Sequence, residues 1–258
     1  MIITSVSNEK VKKLGKLIKS SKARYQSGLF VVEGVRMFRE IEKDMLDSVY
    51  FSESAYQKYT DIADSLEVEY TILSDKVFKS VSDTDTPQGI MALVKMPVYS
   101  LMDKLNSAES PFLLIAERLQ DPGNMGTIIR TAEGAGVTLV VVSRDSVDVF
   151  SPKVVRSSMG AIFRVPICIS SDLCSDIRCI KDKGIKIYGA HLNGSNFYNP
   201  DYTKPSAFLI GNEGNGLSEN VSSMADELIK IPMKGKVESL NAAVSTAVIA
   251  YEVLRQRL

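Results

Sequence analysis

Three short segments of this 258-residue chain hold polar side chains suited to chemistry. The first, Leu119-Gln-Asp-Pro-Gly-Asn-Met-Gly-Thr-Ile-Ile-Arg130, carries Asn124 and Arg130. Its Gly123 and Gly126 permit tight backbone geometry near a substrate. The second, Leu209-Ile-Gly-Asn-Glu-Gly-Asn-Gly-Leu217, wraps Gly211, Gly214 and Gly216 around Asn212 and Glu213. The third, Ile231-Pro-Met-Lys-Gly-Lys-Val-Glu-Ser-Leu-Asn241, ends on Ser239 and Asn241. Asn124 is expected at a helix N-cap, where it can close the helix or hydrogen-bond a ribose or phosphate. Arg130, about two turns into the same helix, has the alternative of a surface or interface ion pair. Glu213 fits a helix N-terminal carboxylate favoured by the dipole. Ser239 reads as the N-cap of the final helix, which leaves Asn241 without a role. The second segment lacks both GxGxxG spacing and a P-loop lysine, which argues against dinucleotide or nucleoside-triphosphate binding.

The elements that must hold these residues follow from hydrophobic patterning. Strands are expected at Phe112–Ala116, Thr138–Val142, Ile185–Ala190, Ala207–Ile210 and Glu227–Lys230. They are continuous apolar runs, as in a parallel sheet buried on both faces. Helices fit Asn124–Ala135, Pro152–Met159, Leu173–Lys183 and Ser239–Gln256. The polar segments then fall at the carboxyl edge of the sheet, where ligands of α/β folds bind. Residues 1–98 alternate helix and strand signals and form a smaller α/β module. Helices are expected at 8–20, 35–43 and 53–66, and strands at 29–33, 48–51, 69–73 and 89–95. Residues 99–110 read as a linker with room for a short helix, and 111–258 as the second domain.

Composition narrows the partners. Formal net charge is zero, so any nucleic-acid surface must be local. Lys10, Lys12, Lys13, Lys16, Lys19, Lys22 and Arg24 give one such stretch, with no acidic residue between them. It is either a solvated helix face or a phosphate-binding arm. Cys168, Cys174 and Cys179 form no CxxC pair and there is one histidine, so no zinc site is expected. That histidine, His191, reads as structural. The odd thiol count and the lack of a signal-like start point to a reducing cytoplasm. No apolar run is long enough to span a membrane.

The three polar segments, in this order, resemble the SpoU/TrmH family of RNA ribose 2′-O-methyltransferases within the SPOUT class. The segment Gly28-Leu-Phe-Val-Val-Glu-Gly-Val-Arg36 resembles the N-terminal substrate-binding domain carried by ribosomal-RNA members, which looks like a small ribosomal protein. The resemblance implies an α/β fold whose C-terminal parallel-sheet domain is closed by a trefoil knot. It implies S-adenosyl-L-methionine as cofactor, held against Gly211, Ile231, Met233 and Leu240, and no metal. It puts Arg130 at the reaction centre with Asn124, Glu213, Ser239 and Asn241, and has Glu213 orient Arg130. A guanidinium stays protonated, so Arg130 is expected to position a phosphate and stabilise an emerging alkoxide rather than act as base. It favours RNA binding by Lys12, Lys16, Arg24, Arg36 and Arg156. It also implies a homodimer joined through the C-terminal domain, with the active site completed across the dimer.

The preferred substrate is 23S ribosomal RNA, because a whole domain precedes the catalytic one. Alternatives are a transfer-RNA 2′-O-methyltransferase and a non-catalytic RNA-binding protein of the same fold. An α/β enzyme acting on a small nucleotide is disfavoured by the basic N-terminal stretch and the missing phosphate loop.

Overall fold

The computed structural model describes residues 2–258. They form two compact units, one of residues 2–97 with Asp148–Phe163, the other of Val98–Val147 with Arg164–Leu258.

The chain of the first unit runs β1 (Ile2–Ile3), α1 (Glu9–Lys19), α2 (Ser21–Ser27), β2 (Leu29–Glu33), α3 (Val35–Phe38), β3 (Leu46–Ser52), α4 (Glu53–Lys58), α5 (Thr60–Asp64), β4 (Tyr70–Leu73), α6 (Asp75–Val81) and β5 (Ile90–Lys95). The sheet order is β1-β4-β3-β5-β2, with β5 antiparallel to both its neighbours. Helix α1 buries Val11, Leu14, Leu17 and Ile18, the stripe set by its 3.6-residue period. Its lysines are left on the opposite face. The helix expected over 53–66 is two helices, because Tyr59 leaves helical geometry at ψ 43°. That break lets Ile62 and Ala63 turn into the core under β3.

In the second unit α7 (Leu101–Ser107) precedes β6 (Phe112–Ala116), α8 (Pro122–Gly134) and β7 (Leu139–Ser143). The chain then crosses α9 (Pro152–Ser157), which lies in the first unit. It returns as β8 (Ile167–Ser170), α10 (Leu173–Asp182), β9 (Lys186–Asn196), β10 (Ser206–Ile210), α11 (Glu219–Ser222), β11 (Glu227–Lys230) and α12 (Ala242–Arg257). The six strands are parallel, in the order β11-β9-β10-β6-β7-β8. Every residue of β6, β7 and β10 is buried, which is why these strands carry no polar alternation.

Two differences from the sequence reading have clear causes. The stretch expected as a linker contains α7, whose Leu101 and Leu105 join the core of the second unit. Residues 148–163, expected within the second domain, pack in the first unit, where Phe30 meets Phe150 and Phe163 at ring distances of 5.0 and 6.3 Å. The same segment changes the role of Arg24. Rather than an RNA contact, Arg24 is 3% exposed, donates to the Leu17 and Ile18 carbonyls, and pairs through Nε with Asp148 at 2.8 Å. Arg24→Ala would strand a nearly buried carboxylate and should lower unfolding free energy by about 3–5 kcal/mol, read from urea denaturation. A loss under about 1 kcal/mol would contradict this account.

Candidate active site

The site is built from the ends of strands. Leaving β6, the chain enters α8 with Asp121 as N-cap and Pro122 in the first turn, the position where a missing N–H costs nothing. Asp121 Oδ1 accepts from Asn124 N at 2.8 Å. Asn124 is therefore not the cap, as expected from sequence, but a residue of the first turn whose amide is free for other work. Its Nδ2 donates to Glu213 Oε1 at 3.1 Å, and its Oδ1 accepts from Asn241 Nδ2 at 2.9 Å. One side chain thus ties all three polar segments together.

Glu213 is held by more than Asn124. Asp121 N and Gln120 N donate to its two carboxylate oxygens at 3.0 and 3.1 Å. Partial burial pushes this carboxyl up, but the bonds from Asn124, Asp121 and Gln120 outweigh it and hold it below the ordinary glutamate value. Glu213 is therefore spent on the start of α8 and does not bond to Arg130, the partner inferred for it. A depressed carboxyl contributes stability above its unfolded pKa and loses it as pH falls through the folded one. The Tm gap between wild type and Glu213→Gln should accordingly be present at neutral pH and shrink below the ordinary glutamate range. A gap independent of pH would mean that the charge does not matter.

The Gly211–Leu217 loop closes on itself. Asn212 and Gly216 exchange backbone hydrogen bonds at 3.0 and 2.9 Å, and Asn212 Oδ1 accepts from Gly214 N and Asn215 N. A β-carbon on Gly211 would sit 2.6 Å from the Gly216 carbonyl oxygen and nearer still to its carbon and to Leu217 N. Glycine is required there by the chain's own backbone, not only by a ligand. The third segment ends on Asn241, whose Oδ1 accepts from Ala243 N and Val244 N at 2.9 and 3.3 Å. Asn241, not Ser239, is the cap of α12.

These loops enclose a cleft of about 370 Å³, lined by Gly211, Ile231, Met233, Leu240, Ser239 and Glu213 among others. Its remaining wall comes from β9. Between Leu228 and Ile229 the register of β11 jumps from Gly189 to Ser195, so residues 190–194 leave the ladder, and 190–193 line the cleft. His191 belongs to this wall, and its Nδ1 accepts from Asn193 N at 3.1 Å. Sequence reasoning treated it as structural; its place at a strand end was the only available signal.

Arg130 lies on the exposed face of α8 and makes no ion pair among the described residues. Of the RNA-contact candidates, Lys12, Lys16 and Arg36 are exposed. Arg156 is half-buried and pairs with Asp83 at 2.8 Å, which removes most of its freedom to bind phosphate. Among the described residues no group of His, Cys, Asp and Glu could hold a metal ion, and no helix is long and apolar enough to cross a membrane.

Comparison with known proteins gives matches over both units. Residues 111–251 match the SpoU rRNA Methylase family, and residues 8–92 match the MRM3-like substrate binding domain. The chain is 34% identical over 254 residues to the 23S rRNA (guanosine(2553)-2'-O)-methyltransferase RlmP of Bacillus subtilis, covering 97% of this chain and 98% of that protein. The AdoMet-bound rRNA methyltransferase from Sinorhizobium meliloti superposes with a TM-score of 0.88 at 27% identity, over 100% of this chain and 98% of that one. The SpoU methyltransferase AviRb from Streptomyces viridochromogenes, in complex with AdoMet, gives 0.86 at 27% identity, over 97% and 99%.

Proposed function

The chain belongs to the SpoU rRNA methylase family, and from that premise we propose that it transfers a methyl group from S-adenosylmethionine to a ribose 2′-hydroxyl of 23S ribosomal RNA. The observation that carries this reading is the hydrogen-bonded line Asn241–Asn124–Glu213 at the cleft. It locks three distant segments into one preorganised surface, which is what an alignment-limited displacement requires.

The cleft residues fit the cofactor. Its volume of about 370 Å³ lies within the range of small-molecule sites. Ile231 and Leu240 offer apolar walls, and the closed Gly211–Gly216 loop offers backbone without a phosphate cradle. When bound, S-adenosylmethionine supplies an activated methyl group. The protein must then position the ribose and stabilise charge on its oxygen. Arg130, unpaired among the described residues, is suited to clamp the adjoining phosphate and to stabilise the forming alkoxide. Asn124 and Asn241 keep their amides oriented by bonding each other, and act as positioning residues. Ser239 places a hydroxyl at the cleft. RNA affinity is assigned to the first unit, with Lys12, Lys16 and Arg36 contacting phosphates. The protein works where ribosomes are assembled, in the cytoplasm. Mapping 2′-O-methyl sites in 23S ribosomal RNA with and without the gene tests the reading; an unchanged pattern overturns it.

The second unit is further proposed to carry the SPOUT trefoil knot. That reading rests on the family resemblance; the tight spot at Gly194, where a β-carbon would lie 2.5 Å from the Ile229 carbonyl carbon, belongs to the pairing of β9 with β11. The protein is proposed to be a homodimer through α12. Val244 and Tyr251 are 49% and 52% exposed, and with half-buried Ala247 and Val248 they form one apolar stripe. Light scattering should give twice 28.4 kDa. The double variant Val244→Asp/Tyr251→Asp should give monomers that no longer methylate RNA. A wild type that stays at the monomer mass at micromolar concentration overturns the dimer.

A further inference from the structure

Arg118 adopts φ +52°, in the left-handed region. There a β-carbon crowds the next carbonyl, and glycine or asparagine is at ease. The backbone uses this conformation well. Arg118 N donates to Ser143 Oγ at 2.9 Å, and its carbonyl accepts from Asn212 Nδ2 at 2.8 Å, which anchors the loop bearing Glu213. Both bonds would survive with glycine. The backbone therefore explains the turn but not the arginine.

The side chain is arranged to present charge. Its Nε lies 3.5 Å from Glu117 Oε1, an ion pair without a hydrogen bond, and the buried Glu117 carboxylate accepts from Ser218 N at 2.8 Å through Oε2. This steadies the root of the guanidinium. The terminal amino groups have no partner among the described residues, and the side chain is 40% exposed. A second arginine follows at the end of the neighbouring strand. Strands β6 and β7 pair Ala116 with Val142, so Arg118 and Arg144 each fall two residues past the same rung. Arg144 is exposed and unpaired among the described residues. The neighbouring exposed carboxylate in sequence, Asp145, accepts from Ser143 Oγ at 2.6 Å. The Ser170 hydroxyl, buried and without a partner, lines the same recess as Arg144.

A strained backbone persists where its surroundings over-determine it and the strain serves a function. We infer that Arg118, with Arg144 beside it, binds a backbone phosphate of the substrate RNA at the carboxyl edge of β6 and β7. It thereby adds a substrate contact in the catalytic unit to those of the first unit. The inference rests on the methyltransferase reading. It excludes a cofactor role, since neither arginine lines the cofactor cleft.

The test exploits effects of opposite sign. Arg118→Gly relieves the left-handed strain, so Tm should be equal or about 2–4 °C higher. Calorimetric affinity for S-adenosylhomocysteine should not change. Binding of a 23S ribosomal RNA transcript should weaken about tenfold, and its log–log salt slope should become shallower by roughly 0.7–0.9, the value for one phosphate. Arg118→Lys should keep most of the slope, because charge rather than fork geometry releases counterions. Unchanged RNA affinity and slope in Arg118→Gly, beside a wild type that methylates RNA, overturns this inference alone. So does a fall in Tm of several degrees, which would make the arginine a structural brace. A wild type that neither binds nor methylates RNA removes the underlying function as well.

Discussion

Arg130→Ala should lower the single-turnover rate of methyl transfer at least roughly a hundredfold, with RNA and cofactor both saturating. The expectation follows from what the structure leaves free. Among the polar residues of the three segments, Asn124, Asn212, Glu213 and Asn241 are bound to one another or to helix ends. Arg130 is exposed and has no ion pair among the described residues. A charge on the exposed face of a helix, unpaired among the described residues, is available to a ligand. Arg130→Lys keeps the charge but loses the planar fork, so it should fail nearly as badly. Both variants should fold and bind S-adenosylhomocysteine, because Arg130 supports neither the cleft nor the core. A near-wild-type rate for Arg130→Ala would remove the residue from the mechanism. Asn241→Ala should show a mixed defect, since Asn241 both caps α12 and steadies Asn124. Losing such a cap costs about 1 kcal/mol of stability.

Gly211→Ala should weaken cofactor binding by up to roughly a hundredfold while leaving the first unit folded. The added carbon meets backbone of Gly216 and Leu217, which cannot swing aside as a side chain could. Overpacking of this kind costs typically about 1–3 kcal/mol. The loop can escape it only by opening, which moves Glu213 off the start of α8. A cost near the top of that range corresponds to roughly a hundredfold in affinity. Gly214→Ala is the control. Its β-carbon would meet only Asn212 Oδ1, at 3.7 Å, an ordinary contact. Calorimetry with S-adenosylhomocysteine separates the two, and equal affinities would show that the loop tolerates bulk at Gly211.

Much of the second unit was legible in its sequence because burial on both faces leaves a strong trace. Phe112–Ala116, buried throughout, is a strand with the expected limits; Glu227–Lys230 keeps its limits too, although only Ile229 is buried. The three polar segments could be found for a related reason. Each follows a strand, the first two a fully buried one, and each places glycine and amide residues where the chain must turn. The SpoU relationship was visible in those segments alone.

The identity of each cap was not legible. Asp121 and Asn124 can both close a helix, as can Ser239 and Asn241, and propensity ranks them together. The choice was made by tertiary partners: Asn124 and Asn241 face each other across α8 and α12, and that pairing exists only once the sheet has brought the two helix starts together. Arg24 makes the same point. In sequence it is one more basic residue after a row of lysines. Its burial depends on Asp148, 124 positions away, so no local pattern could separate it from Lys16. Arg118 was overlooked because strain is not a property of composition; a positive φ becomes visible only when Ser143 and Asn212 hold the backbone there. The sequence by itself determined the strands, the helix stripes and the family, since these depend on local hydrophobic period and residue type. Tertiary structure alone decided which polar groups are consumed in holding the site and which remain free to act, because hydrogen bonds and ion pairs between distant segments form only after the core has set their distances.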